Sequence, residues 1–144
     1  MQYKFFGADT PAVFPLSGAY PTDMDQRKLY DLLSQIWCEY SCAPRYRAQW
    51  SADNKTLGQC SITAFLIQDI YGGEVFGVPL TDGGYHCYNK VGEVVFDLTS
   101  EQFGSEKLVY DCSNPQSRAE HFALSEKYER YLYLKNQLKL KLGV

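Results

Sequence analysis

Long hydrophobic runs are missing from this chain, and so is any excess of positive charge. No apolar stretch approaches the roughly 20 residues that a membrane-spanning helix needs. The first residues, Met1-Gln2-Tyr3-Lys4-Phe5-Phe6-Gly7, hold no apolar run of signal-peptide length. With 14 Lys and Arg against 17 Asp and Glu the formal charge is −3, so no basic field invites nucleic acid or an anionic lipid surface. The five cysteines (Cys38, Cys42, Cys60, Cys87 and Cys112) are an odd number without a regular disulfide framework. Free thiols in a reducing cytoplasm are therefore the expectation. Metal is the competing use, because Cys38 and Cys42 sit four apart on one face of an expected helix. No C-x-x-C partner follows, and the His-x-Glu with Pro-Cys-x-x-Cys signature of zinc deaminases is absent, so no metal site is expected. Repeats and low-complexity segments are lacking too.

What is present is enough apolar residue, 45% of 144, to build the core of a single domain spanning 1–144 without staples. Twelve tyrosines and two tryptophans suggest a cleft that stacks on or wraps a small partner. Residues 1–20, with Gly7, Pro11, Pro15 and Gly18 among aromatics, read as an irregular arm lying against the body. A helix is expected from Thr22 or Asp23 to about Tyr40, with Leu29, Leu32, Leu33, Ile36, Trp37 and Tyr40 as its buried stripe. Ser41 to Leu57 forms the longest loop, and Trp50 in it either lines a cleft or is pinned on the core.

The stretch from Gly58 to Thr99 carries the chemistry. Gly58-Gln59-Cys60 makes a glycine turn with a cysteine at the start of an apolar helix, Ser61 to Tyr71, which stops at Gly72-Gly73. In the first helical turn, unpaired N–H groups and the helix dipole favour a thiolate. The Cys60 N–H could also face a developing oxyanion. A short strand over Glu74–Val78 and a turn at Thr81-Asp82-Gly83-Gly84 come next. Strands Tyr85–Lys90 and Glu93–Asp97, joined by Val91-Gly92, then pair Lys90 with Glu93 and, further out, His86 with Asp97. Directly opposed residues share a sheet face with Cβ atoms roughly 5 Å apart, and a one-residue slip would separate them. The chain order Cys, His, Asp is that of a thiol nucleophile with its base and orienting carboxylate. Farther on, a strand is expected at about Lys107–Asp111. Helix is expected from Pro115 or Ser117 to about Leu142, with a break near Ala123–Ser125.

Each of these residues also has an inert reading. Cys60 alone is most often a core thiol, His86 a satisfied structural histidine, Asp97 a turn or cap residue. Their convergence behind one hairpin favours the catalytic reading. Cys87 points to the sheet face opposite His86 and reads as core, His121 as half-buried on the C-terminal helix, and Cys112 has no evident place.

The motifs Trp50, Gly58-Gln59-Cys60, Thr63-Ala64, Gln68-Asp69, Gly72-Gly73-Glu74, His86-Cys87-Tyr88-Asn89, Asp97-Leu98-Thr99 and Gln102-Phe103 occur in an order that resembles the YunG-like family of small bacterial proteins. The resemblance covers roughly residues 30–135, including Ser117-Arg118-Ala119-Glu120 and the tyrosine-rich helix after it. At a greater distance the order of Cys60, His86 and Asp97 is similar to the papain-like superfamily, in its transglutaminase and cell-wall peptidase branches. That likeness implies Cys60 as nucleophile, His86 as base and Asp97 as the residue orienting His86. Papain-type enzymes place an oxyanion glutamine several residues before the cysteine, whereas Gln59 is adjacent to Cys60. Asn89 and Gln102 are further donor candidates, and Trp50 a candidate substrate contact.

The expected fold is α+β and papain-like: an antiparallel sheet of about three to five strands against the Cys60 helix, flanked by N- and C-terminal helices. The expected function is a cysteine-dependent hydrolase or acyl transferase acting on an amide or thioester of a small molecule or peptide. It would need no cofactor. The alternatives are a ligand- or peptide-binding module on the same scaffold and a thiol redox sensor.

Overall fold

A computed structural model describes residues 3–144. It is an α+β arrangement whose centre is the helix α2, Cys60–Tyr71, which packs on one side against a three-stranded antiparallel sheet and on the other against the long C-terminal helix α4, Ser125–Leu142. Ser61 through Ile67, Ile70 and Tyr71 are all buried. A helix that is apolar nearly all round belongs in a core, and each fully buried Leu, Ile or Phe contributes roughly 1.5–3 kcal/mol. Two side chains fix its rotation: Trp37 Nε1–H donates to Thr63 Oγ1 (3.0 Å), and Asn89 Nδ2 donates to the Ala64 carbonyl (2.9 Å). Asn89 is thus a clip between sheet and helix.

The sheet order is β1 (Glu74–Pro79), β2 (Tyr85–Val91), β3 (Val94–Phe96). The second hairpin turns at Gly92-Glu93, not at Val91-Gly92, so Val91 pairs Val94, Lys90 pairs Val95 and Asn89 pairs Phe96. The reason is local: Gly92 has φ +59°, the left-handed conformation that two-residue hairpin turns require at their first central position. The register moves by two residues relative to the expected one. A shift of two leaves every side chain on its original face, so Asp97 becomes a diagonal rather than a direct neighbour of His86.

The helical expectations hold in part. The first helix, α1, spans only Gln26–Ser34, capped by the Asp25 carboxylate on Lys28 N–H. Ser41 Oγ accepts from Cys38 N–H and donates to the Cys38 carbonyl, folding 38–42 into a turn, so Cys38 and Cys42 share no helix face. Leu29, Leu33, Ile36 and Trp37 are buried as expected, but Tyr40 is exposed. The loop after it is wound into 3₁₀ turns at Pro44–Gln49 and Ala52–Asn54. The C-terminal region breaks where expected, into α3, Arg118–Phe122, and α4, with Leu124 at the cap position of α4.

No strand forms at 107–111. Cys112 and Asn114 take positive φ, and the chain reaches the sheet only at 114–116, where Gly77 N–H donates to Asn114 O and Gln116 N–H to Val75 O along the outer edge of β1. The N-terminal arm is irregular and tied down: Gln26, wholly buried, accepts from Val13 N–H and donates to Pro11 O, while Phe5, Val13 and Tyr20 enter the core. Among the described residues no helix is long and apolar enough to cross a membrane.

Candidate active site

Gly58 makes the approach to Cys60 possible. Its φ is +72°, and a Cβ there would meet Cys42 Sγ at 2.5 Å and Ala43 N at 2.8 Å. Only glycine lets the chain turn this close to the 42–43 backbone. Cys60 follows as the first residue of α2, and its N–H has no partner among the described residues.

The β2 edge explains what surrounds the sulfur. Because Val75 and Gly77 turn their backbone groups outward to 114–116, antiparallel alternation directs those of Cys87, Asn89 and Val91 toward β3. Pairing with β3 starts only at Asn89, which leaves Cys87 N–H on an open edge. The Cys60 thiol lies near enough to both Cys87 and His86, which alternate across β2, for each to lower its pKa. Cys87 is therefore buried as expected, yet also part of the thiol's surroundings.

His86 Nε2 and Asp97 Oδ2 are 2.6 Å apart with both side chains buried, and the ring is close enough to Cys60 for the thiol to help raise its pKa. Phe103 braces the imidazole edge-on at 4.7 Å. Asp97 Oδ2 also accepts from the Tyr110 hydroxyl at 2.7 Å, and Oδ1 accepts from Thr99 N–H and Thr99 Oγ1 at 3.0 and 3.2 Å. The arm contributes here: Asp97 N–H donates to Phe6 O, and the Phe6 ring stacks on Tyr110 at 3.8 Å.

The electrostatics follow from these contacts. The hydrogen bond from the Cys87 thiol holds Cys60 well below the ordinary thiol range, and the His86 charge and hydrogen bond add to it against the cost of burial. Burial opposes a charged His86, but the Asp97 and Cys60 charges and their hydrogen bonds outweigh it and raise the ring to about 10. Cys87, donating to Cys60 and buried, is pushed well above the thiol range. These directions favour a thiolate at Cys60 beside an imidazolium at His86, with the proton kept on Cys87.

Cys60 and His86 open onto a cleft of about 1010 Å³, with Gln102, Phe103, Tyr46 and residues 114–117 among its walls. Gln102 lines it and spends one amide hydrogen on Thr99 O (2.9 Å), leaving the other. The other three candidates are elsewhere. Gln59 is fully buried, with Nε2 on the Cys38 carbonyl and Oε1 without a partner, because its position one residue before the helix directs it into the core. Trp50 does not line the cleft, since its Nε1 is held by Lys55 O within its own loop, and Asn89 is the clip described above. Tyr110, Thr99 and the Cys87 thiol escape a reading of the sequence. Tyr110 lies in an irregular segment, and the Cys87 contact depends on where β3 stops. Among the described residues no cluster of His, Cys, Asp and Glu is arranged to hold a metal ion.

Fold and site together define a small α+β protein with a thiol and an imidazole on one cleft and a buried carboxylate behind the imidazole. The profile of the YunG protein family matches residues 25–143. The "Uncharacterized protein YunG" of Bacillus subtilis (strain 168) is 36% identical over 104 residues, which is 72% of this chain and 83% of that protein. The chain belongs to the YunG family. No solved structure matches it.

Proposed function

We propose that this protein is a cysteine-dependent hydrolase or acyl transferase of papain-like type, with Cys60 as nucleophile, His86 as general acid and base, and Asp97 as the residue orienting His86. The observation that carries the reading is the buried imidazole, bound by Nε2 to Asp97 at 2.6 Å and electrostatically linked to Cys60, with Cys60 and His86 lining one cleft. The Cys60 thiolate attacks the carbonyl carbon of an amide or thioester, forming a C–S bond while the carbonyl electrons move onto oxygen. The free Cys60 N–H and the second Gln102 amide hydrogen are the donors available to that oxyanion. As the tetrahedral intermediate collapses, the bond to the leaving nitrogen or sulfur breaks and His86 Nδ1–H supplies its proton. Water or an amine then attacks the acyl-enzyme, gives its proton to Nδ1, and releases the thiolate.

The acyl-enzyme is the testable species. Mixed with p-nitrophenyl acetate, the protein is expected to release a burst of one p-nitrophenolate per chain and to carry an acetyl group on Cys60 by peptide mass mapping. Cys60→Ala should abolish both. Acetylation spread over lysines, with no burst, refutes the reading.

A second reading, the thiol redox sensor, is favoured by the Cys87 contact. Peroxide would oxidise the Cys60 thiolate to a sulfenic acid, releasing hydroxide. The Cys87 thiol would then displace hydroxyl from it to give a Cys60–Cys87 disulfide and water. Peptide mapping after one equivalent of hydrogen peroxide decides between that disulfide and none.

A further inference from the structure

We infer that the cleft recognises a substrate bearing a carboxylate, and that Lys127 is the residue that binds it. The inference rests on the proposed function for the identity of the reacting thiol and adds the class of substrate. Three Lys and Arg side chains line the cleft among the described residues, and two face carboxylates, Arg130 closely and Arg45 loosely at an exposed position. Arg45 lies 4.0 Å from Asp82, and Arg130 is paired with Glu126 at 2.8 Å. Lys127 forms no ion pair with any described carboxylate.

Instead it is held by a neutral acceptor. Lys127 Nζ lies 2.9 Å from His121 Nδ1, and an ammonium can only donate, so Nδ1 carries the lone pair. The ring proton is then on Nε2, which donates to Gln116 Oε1 at 2.8 Å. That amide is itself fixed, because Gln116 Nε2 donates to Asn114 O at 2.9 Å and lies over Gly77, where a Cβ would come within 2.7 Å of it. The His121 ring rests on Phe65 of α2 at 5.2 Å, and burial and the lysine charge lower its pKa. An oriented chain thus runs from the Asn114 carbonyl through Gln116 and His121 and ends on an ammonium with two N–H groups unspent. A half-buried, pre-positioned cation without a counter-charge, on the wall of the cleft that holds Cys60, is complementary to an anionic oxygen group.

Iodoacetate and iodoacetamide test this, since they alkylate the same thiolate with the same leaving group and similar size and differ in charge. Rate constants at Cys60, followed by peptide mapping, give the iodoacetate-to-iodoacetamide ratio. Lys127→Gln is expected to lower that ratio about fivefold, the effect of one charge at several ångströms in a partly solvated site, and Lys127→Arg to restore it. Lys127→Met is the second neutral variant if Lys127→Gln does not fold. A ratio in the neutral variant equal to that of the wild type overturns the inference and leaves the nucleophile intact. Failure of wild-type Cys60 to react with either reagent faster than an ordinary thiol instead removes the proposed function on which it rests.

Discussion

Replacing Asp97 by Asn separates the two jobs its carboxylate performs. Oδ1 holds Thr99 N–H and the Thr99 hydroxyl, which need an acceptor, so the amide oxygen of the variant stays there. The amide nitrogen then takes the place of Oδ2, opposite His86 Nε2 and the Tyr110 hydroxyl. Facing a donor, Nε2 must accept, which puts the only ring proton on Nδ1. His86 becomes a neutral imidazole that can no longer take a proton from Cys60. Losing the imidazolium removes the charge that favours the thiolate. The Cys87 contact persists, so the free value of about 8.5 is the upper limit of the rise, and a thiol at that limit is roughly 3% ionised at pH 7 and about 0.3% at pH 6. Each unit by which its pKa rises returns about threefold in intrinsic nucleophilicity. The net expectation for Asp97→Asn is a loss of about 10- to 100-fold in Cys60 alkylation by iodoacetamide at pH 6, shrinking to little by pH 9.5. The fold is retained, because the change is isosteric and the Thr99 contacts persist. The lost charge-assisted bonds cost about 2 kcal/mol, or about 5 °C in Tm for a chain of this size. Alkylation unchanged at pH 6 alongside a lowered Tm would mean that Asp97 only holds the turn, and would leave a Cys–His pair at most.

Cys87→Ala removes the leading contact that lowers the Cys60 pKa, so the midpoint of Cys60 alkylation against pH should rise, while Cys87→Ser, which keeps a donor, should leave it low. An unmoved midpoint in both variants would assign Cys87 to packing alone. Gly58→Ala forces a side chain into the left-handed region and against Cys42 Sγ and Ala43 N. Strain and overpacking together should cost about 3 kcal/mol, seen as a Tm lower by about 10 °C; an unchanged Tm would contradict the tight approach of the two segments.

Much of the site could be read from residue order because its determinants are local. Gly58-Gln59-Cys60 before an apolar helix fixes the thiol at the first position of α2, and the period-2 alternation of β2 and β3 fixes the faces of His86 and Asp97. The hairpin illustrates how this reading is protected: Gly92-Glu93 forms the turn in place of Val91-Gly92, yet the two-residue shift keeps both side chains on one face. What could not be read depends on tertiary contacts. Gln59 is adjacent to Cys60 in sequence and yet faces the core, since consecutive residues at a helix start point in different directions. Tyr110 reaches Asp97 from a segment whose pattern suggested a strand, and positive φ at Cys112 and Asn114 diverts that segment to the edge of β1. The first helix stops at Ser34, and Ser41 ties the backbone at Cys38 into a separate turn, a contact invisible to hydrophobic periodicity.

The central claim is a thiolate–imidazolium pair between Cys60 and His86, and the ionisation of His86 tests it most directly. The raised pKa of the folded state has a definite sign. The stabilisation it brings is fully present below the unfolded value of about 6.5 and is lost as pH rises through about 10. Following the two imidazoles by ¹⁵N NMR from pH 5 to 11, with His121→Gln to assign them, is expected to give a His86 ring that stays protonated through neutrality and titrates near 10. The midpoint should fall in Cys60→Ala and Asp97→Asn. A His86 ring that is neutral at pH 7 in the wild-type protein would contradict the ion pair and the nucleophilic reading built on it.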